Sequence, residues 1–268
     1  MALAVTGISK VLGNNEGAAP QENVTTATKI RRRPHSFLLD FYRSAVGKKW
    51  VMALSGVALL GFVLAHMIGN LKIFLGPEPG GGFEIDQYAE ALRSLLYPLL
   101  PRHVVLWGIR LVLIAAFAVH IHAAITLTLV NRRARPIEYQ GPRQYLVANY
   151  ASRTMRWSGF IVLAFIAFHL ADFTWGIQPM APDNWEAGSV HANMVASFSR
   201  PAVTALYVIA NLLLGIHIFH GAWSMFQSLG VAHPRFNPWR RWFAIAFAAV
   251  IVAGNVAMPV AVQFGVIQ

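Results

Sequence analysis

Five long apolar stretches dominate the pattern of the chain, over residues 50–75, 104–130, 157–175, 202–229 and 242–262. A bilayer core of roughly 30 Å takes about 20 helical residues to cross. Lipid offers no partner to an open backbone, so each stretch predicts a transmembrane helix. Residues 231–241, polar and holding two prolines, predict a short connection between the fourth and fifth spans. Ahead of the first, Phe37, Leu38, Phe41 and Ala45 fall on one helical face, which predicts an interfacial helix near residues 36–46. The start of the chain is mildly apolar but too short for a secretory leader, and a polar stretch runs from Gly13 to Lys29. Residues 1–30 therefore predict a disordered cytoplasmic tail ahead of a membrane domain over 31–268.

Composition agrees with lipid as the solvent. Charged residues make up 12% of the chain, against about 25% in soluble domains. A net charge of +11 would suggest nucleic acid in a soluble protein, but here the basic residues flank apolar runs and read as topology signals. Arg31, Arg32, Arg33, Arg43, Lys48 and Lys49 precede the first span, and Arg132, Arg133, Arg135, Arg143, Arg153 and Arg156 follow the second. Arg235, Arg240 and Arg241 lie between the fourth and fifth. The other two loops set Arg93, Arg102 and Arg200 among Glu78, Glu84, Asp86, Glu90, Asp183 and Glu186. Basic loops stay in the cytoplasm, so the N-terminus is expected inside and the C-terminus outside. Trp50, Trp157, Trp175 and Trp239 fall near span ends, where interfacial aromatics belong.

The candidate chemistry is histidine. His66, His120, His122, His169 and His217 lie well inside spans, with His220 close behind. A single histidine at that depth is commonly a hydrogen-bonded core residue. Four successive spans that each carry one are harder to explain so, because ionisable groups in a membrane are costly and usually functional. Successive spans alternate in direction. His66 and His169 therefore share the outer half, and His122 and His217 share the inner half. Each pair could hold one b-type haem between two imidazoles, leaving no open iron position, which suits electron transfer. The expected fold is thus an all-α membrane protein of five transmembrane helices, the first four forming a haem-binding bundle. His120 and His122 are about 200° apart on a helix, so only one can face a given haem. His217 and His220 share a face, and periodicity alone does not choose between them. With no cysteine, disulfides, thiolate-held iron–sulfur clusters and c-type haem attachment are excluded within the chain.

Other features carry less. The stretch Gly76-Pro77-Glu78-Pro79-Gly80-Gly81-Gly82 lacks the Gly-Lys-Ser/Thr ending of a phosphate loop and reads as a turn. Arg110, about 10 Å into the second span, either snorkels or pairs with a haem propionate. Asn70, Asn211 and Asn255 are suited to bonds between helices. Asp172 is on nearly the same helical face as His169, so it is a candidate for proton transfer to quinone or for a helix-end hydrogen bond. Trp175, Glu84 and Tyr88 are further candidates for an outer quinone site. Ser55, Arg156, Trp223 and His220 are those for a competing inner one.

Several motifs, in order, resemble the single-polypeptide, di-haem cytochrome b anchor of bacterial succinate dehydrogenase and fumarate reductase. They are Gly47-Lys48-Lys49 with Met52-Ala53-Leu54-Ser55-Gly56, His66-Met67-Ile68-Gly69-Asn70-Leu71, Asn131-Arg132-Arg133-Ala134-Arg135-Pro136, Ser152-Arg153-Thr154-Met155, Phe168-His169-Leu170, and His217-Ile218-Phe219-His220-Gly221-Ala222-Trp223-Ser224. The resemblance spans most of the chain from about residue 40. It implies His122 and His217 as inner ligands, because small residues follow the former and the latter stands four residues ahead of Gly221. It implies His66 with His169 as the outer pair. It further implies a bacterial cytoplasmic-membrane subunit that carries electrons from an iron–sulfur subunit through two haems b to a quinone, menaquinone by type. FAD and the iron–sulfur clusters would lie only in partner subunits on the basic cytoplasmic face, and the whole complex could form an oligomer. Two rivals stand beside this reading: a cytochrome b subunit of a hydrogenase or formate dehydrogenase, and a haem-free transporter whose histidines relay protons.

Overall fold

The structure, a computed structural model, describes residues 36–134, 150–231 and 233–268. The expected tail over residues 1–30 lies outside the described residues. Residues 37–268 form one compact unit. Among the described residues the fold is helical throughout, save for one isolated bridge between Pro77 and Phe83. Five helical segments are long and apolar enough to cross a membrane: Ala45–Leu75, Val104–Arg133, Met155–Trp175, Pro201–Ser228 and Pro234–Gln263.

The expected short helix is α1, Phe37–Arg43. Ser44 then caps α2, Ala45–Asn70, by accepting from the Gly47 amide at 2.9 Å. Gly47 makes the tight joint workable, because a Cβ there would sit 1.8 Å from the Phe41 carbonyl oxygen. A tight 3₁₀ segment, Leu71–Leu75, ends the first span. The Gly-Pro stretch beyond it is indeed a turn, in which Gly76, Gly81 and Gly82 adopt positive φ. Two short helices at this end, α3 (Glu84–Arg93) and α6 (Val190–Phe198), fall where the sequence suggested plain loops.

The remaining spans are α4 (Val104–Arg133), α5 (Tyr150–His169) with a π-helical turn over Leu170–Trp175, α7 (Pro201–Ser228) and α8 (Asn237–Gln263). The fifth span starts earlier than its apolar run. Pro234 and Pro238 sit at the first turns of a 3₁₀ segment and of α8, where a missing N–H costs nothing. The supposed polar linker is therefore largely helical, and Arg240 within it is buried, donating to the Val231 carbonyl at 2.6 Å.

Helix α7 is the hub. It packs against α8, α5 and α2, while α4 rests on α2. Between α7 and α8 the backbones approach closely at small residues, as membrane helices favour. A Cβ on Gly215 of α7 would meet Val252 of α8 at 2.4 Å, and α8 comes as close to α2, where a Cβ on Gly254 would meet the Met67 sulfur at 2.3 Å. Helix α5, by contrast, takes its helix contact from α7 rather than from α2 or α4. His66 of α2 and His169 of α5 meet where these two helices are not otherwise packed together.

Candidate functional site

His66 of α2 and His169 of α5 face each other at 5.7 Å between ring centroids, nearly perpendicular. Two imidazoles on opposite sides of one metal stand about 6 Å apart by this measure, given metal–nitrogen bonds of about 2 Å. His66 is walled by protein at longer range, yet its side chain keeps accessible surface. It borders a gap and does not pack into a core.

Hydrogen bonding indicates which nitrogen each ring leaves free. The amide of Asn70 lies 3.0 Å from His66 Nδ1. Its oxygen and nitrogen are interchangeable by a half-turn, so it can accept the Nδ1 proton. On the other side, His169 Nδ1 lies 3.3 Å from the Tyr207 hydroxyl oxygen. Phe165, Phe173 and Tyr207 pack around that ring.

In the other half of the bundle the arrangement repeats. His120 Nδ1 is 3.2 Å from the Met52 carbonyl oxygen and 3.2 Å from Ser55 Oγ. A carbonyl only accepts, so Nδ1 carries the proton and Nε2 keeps its lone pair. His217 Nδ1 is 3.3 Å from Ser158 Oγ, and the Met155 carbonyl also serves it. Gly56 and Gly159 lie under these rings, where a Cβ would meet His120 Cε1 and His217 Cε1, each at 3.5 Å. Met52, Ser55, Gly56 and His66 on the first span correspond to Met155, Ser158, Gly159 and His169 on the third, all at one constant separation. This internal repeat was legible in the sequence and was missed. It makes His120 the counterpart of His217.

His122, the histidine implied by the family resemblance, points elsewhere. Its ring is exposed, stacked on Tyr42 at 5.8 Å between centroids, with Nδ1 hydrogen-bonded to the Tyr42 hydroxyl. His217 is within electrostatic reach of His120 and His220. The structure thus brings together His66 with His169, and His120 with His217, and leaves His122 outside both groups.

The quinone candidates divide. Asp172 is completely buried. It accepts from Tyr207 at 2.8 Å, from Arg200 at 3.2 Å, and from Ser197. Every donor comes from the segment 197–207, and they engage both carboxylate oxygens. Glu84 pairs with Lys72 at 2.5 Å. Its side-chain contact with Glu78, then the hydrogen bond from Lys72, hold its carboxyl below the usual carboxylate value. Tyr88 lies beneath the Lys72 ammonium at 5.5 Å and against Gly69, three residues beyond His66. Trp175 is exposed at the end of the π-helical turn. Arg110 is exposed too, and stacks on Trp107 at 5.1 Å. At the opposite end, His220 Nδ1 and Trp223 Nε1 are buried without a hydrogen-bond partner. No group of three or more metal-binding side chains occurs among the described residues, and bis-imidazole ligation asks for only two.

Comparison with protein-family models, with curated proteins and with solved structures finds no match.

Proposed function

We propose that this chain is the di-haem cytochrome b anchor of a bacterial succinate:quinone oxidoreductase, with the flavoprotein and iron–sulfur subunits on its basic face. The observation that carries the reading is the opposed pair His66 and His169, whose Nδ1 atoms lie within 3.3 Å of the Asn70 amide and the Tyr207 hydroxyl, so that with the Asn70 oxygen turned to His66 both have acceptors. An imidazole so held offers Nε2 to a metal, the arrangement that metal-ligating histidines share. Haem iron, when bound, supplies a one-electron couple between a one-electron donor and a quinone. His66 and His169 would hold one group, and His120 with His217 the other, His120 replacing the His122 of the family-based expectation. Gly56 and Gly159 keep the second site free of side chains.

Electron passage from one end of the bundle to the other favours a quinone at the His66–His169 end. Lys72, Glu84 and Tyr88 gather there and, with the exposed Trp175, are the residues we assign to bind it. Asp172 does not belong to that set, because its oxygens are already taken. The unpartnered nitrogens of His220 and Trp223 suit an anionic or carbonyl group of a bound molecule at the opposite end. The positive-inside pattern supports a cytoplasmic location for that end, with α1.

Affinity purification of the native complex tests the assignment. A flavoprotein and an iron–sulfur protein that together oxidise succinate should accompany the chain. Recovery of a nickel or molybdenum enzyme subunit would assign it instead to a hydrogenase or a formate dehydrogenase.

A further inference from the structure

Three of the four inward histidines have only neutral partners at Nδ1: the Asn70 amide for His66, and backbone carbonyls with serine hydroxyls for His120 and His217. His169 differs. Its Nδ1 meets Tyr207, and behind Tyr207 stands a buried carboxylate. A tyrosine hydroxyl has one proton to give. At 2.8 Å from Asp172 Oδ2 that proton goes to the carboxylate. Tyr207 can then only accept from His169, so Nδ1 of His169 carries the proton and Nε2 carries the lone pair. Arg200 and Ser197 supply further donors to Asp172. Arg200 is itself tied down by the carbonyls of Pro179 at 3.2 Å and Met180 at 2.6 Å.

We infer that Asp172 and Tyr207 form a positioning relay that fixes the tautomer of His169 and makes it the most electron-donating imidazole of the four. The inference rests on the di-haem reading above. A donor polarised toward a carboxylate gives its metal more electron density and favours the oxidised iron. The relay therefore lowers the potential of the haem held by His66 and His169, and Asp172 acts on it through Tyr207 without meeting quinone. Every link is a hydrogen bond between buried or half-buried groups, so solvent does not short-circuit it.

Potentiometric titration of the intact purified complex, followed optically, tests the relay. Tyr207→Phe and Asp172→Asn should each raise the potential of one haem and leave the other unchanged. A roughly tenfold change in ferric-over-ferrous preference would read as ~59 mV for a one-electron couple. Ser197→Ala should act with the opposite sign, because removing one donor leaves the carboxylate a stronger acceptor for Tyr207. Opposite signs from two neighbours are not what a merely structural role produces. If Tyr207→Phe and Asp172→Asn lose the haem outright, Ser197→Ala alone decides: a lowered potential supports the relay, and an unchanged or raised one overturns it. Two unchanged potentials in Tyr207→Phe with full haem content also overturn it. Absence of haem from the unmodified complex would instead refute the di-haem reading on which the relay rests.

Discussion

Nδ1 of His120 lies 3.2 Å from the carbonyl oxygen of Met52, one helix away, and the contact marks the side of α4 that faces α2. With His120 turned toward α2, His122 is carried to the exposed side and meets Tyr42. His120→Ala should remove the haem shared with His217, whereas His122→Ala should keep both. Haem content of the two purified variants, read from their reduced spectra, checks this. Loss of haem in His122→Ala alone would restore the family-based assignment.

The glycines beneath the rings give a graded test. A Cβ at Gly56 would make ordinary van der Waals contact with His120, at 3.5 Å. Gly56→Ala should therefore retain both haems. Gly56→Val pushes methyl groups into the ring, an overpacking that typically costs about 1–3 kcal/mol, and should deplete one haem selectively. The same order is expected at Gly159. Equal haem content in the alanine and valine variants would count against the placement.

The packing of α8 against α7 and α2 predicts a second gradation, this time in stability. A Cβ at Gly215 of α7 meets Val252 of α8, a stiff β-branched side chain, at 2.4 Å. One at Gly254 of α8 meets Met67 of α2, which has rotatable bonds to spare. Gly215→Ala should lower the melting temperature more than Gly254→Ala, the destabilisation at Gly215 being that of a typical overpacking, about 1–3 kcal/mol. Thermal unfolding in one detergent compares them directly.

How much of this was legible in the sequence depends on the kind of signal. The five spans and α1 follow from apolar period and length. The histidine ladder follows from one ionisable residue per span. Helices α3 and α6 were not seen because they are short and lie in polar or mixed stretches. The early start of α8 was hidden by Pro234 and Pro238, which read as a break but sit at helix starts. Periodicity separated His120 from His122 without saying how α4 is rotated. The Met-x-x-Ser-Gly repeat on the first and third spans held that information. Asp172 was paired with His169 by helical spacing, yet the π-helical turn and three partners from residues 197–207 decide where it points.

Acid should loosen the end that carries α3 and α6. His191 is stacked on Phe83 at 3.4 Å between centroids, and its backbone amide donates to Asp86. Burial holds its imidazole below the usual histidine value, and the Asp86 charge offsets only part of that. A histidine whose folded pKa is depressed stabilises fully above the unfolded value of about 6.5 and progressively less as pH falls below it. Hydrogen exchange across α3 and α6 should quicken between about pH 7 and 5, and His191→Phe should flatten the dependence. Exchange that is independent of pH in the unmodified protein would contradict the placement of His191.

Haem stoichiometry tests the central claim most directly. Purified complex, reduced with dithionite and converted to the pyridine haemochrome, should contain two b-type haems for each copy of this chain. His66→Ala or His169→Ala should leave one, and combining either with His217→Ala should leave none. A purified, folded complex with no haem spectrum would contradict the account and favour a haem-free role for the buried histidines.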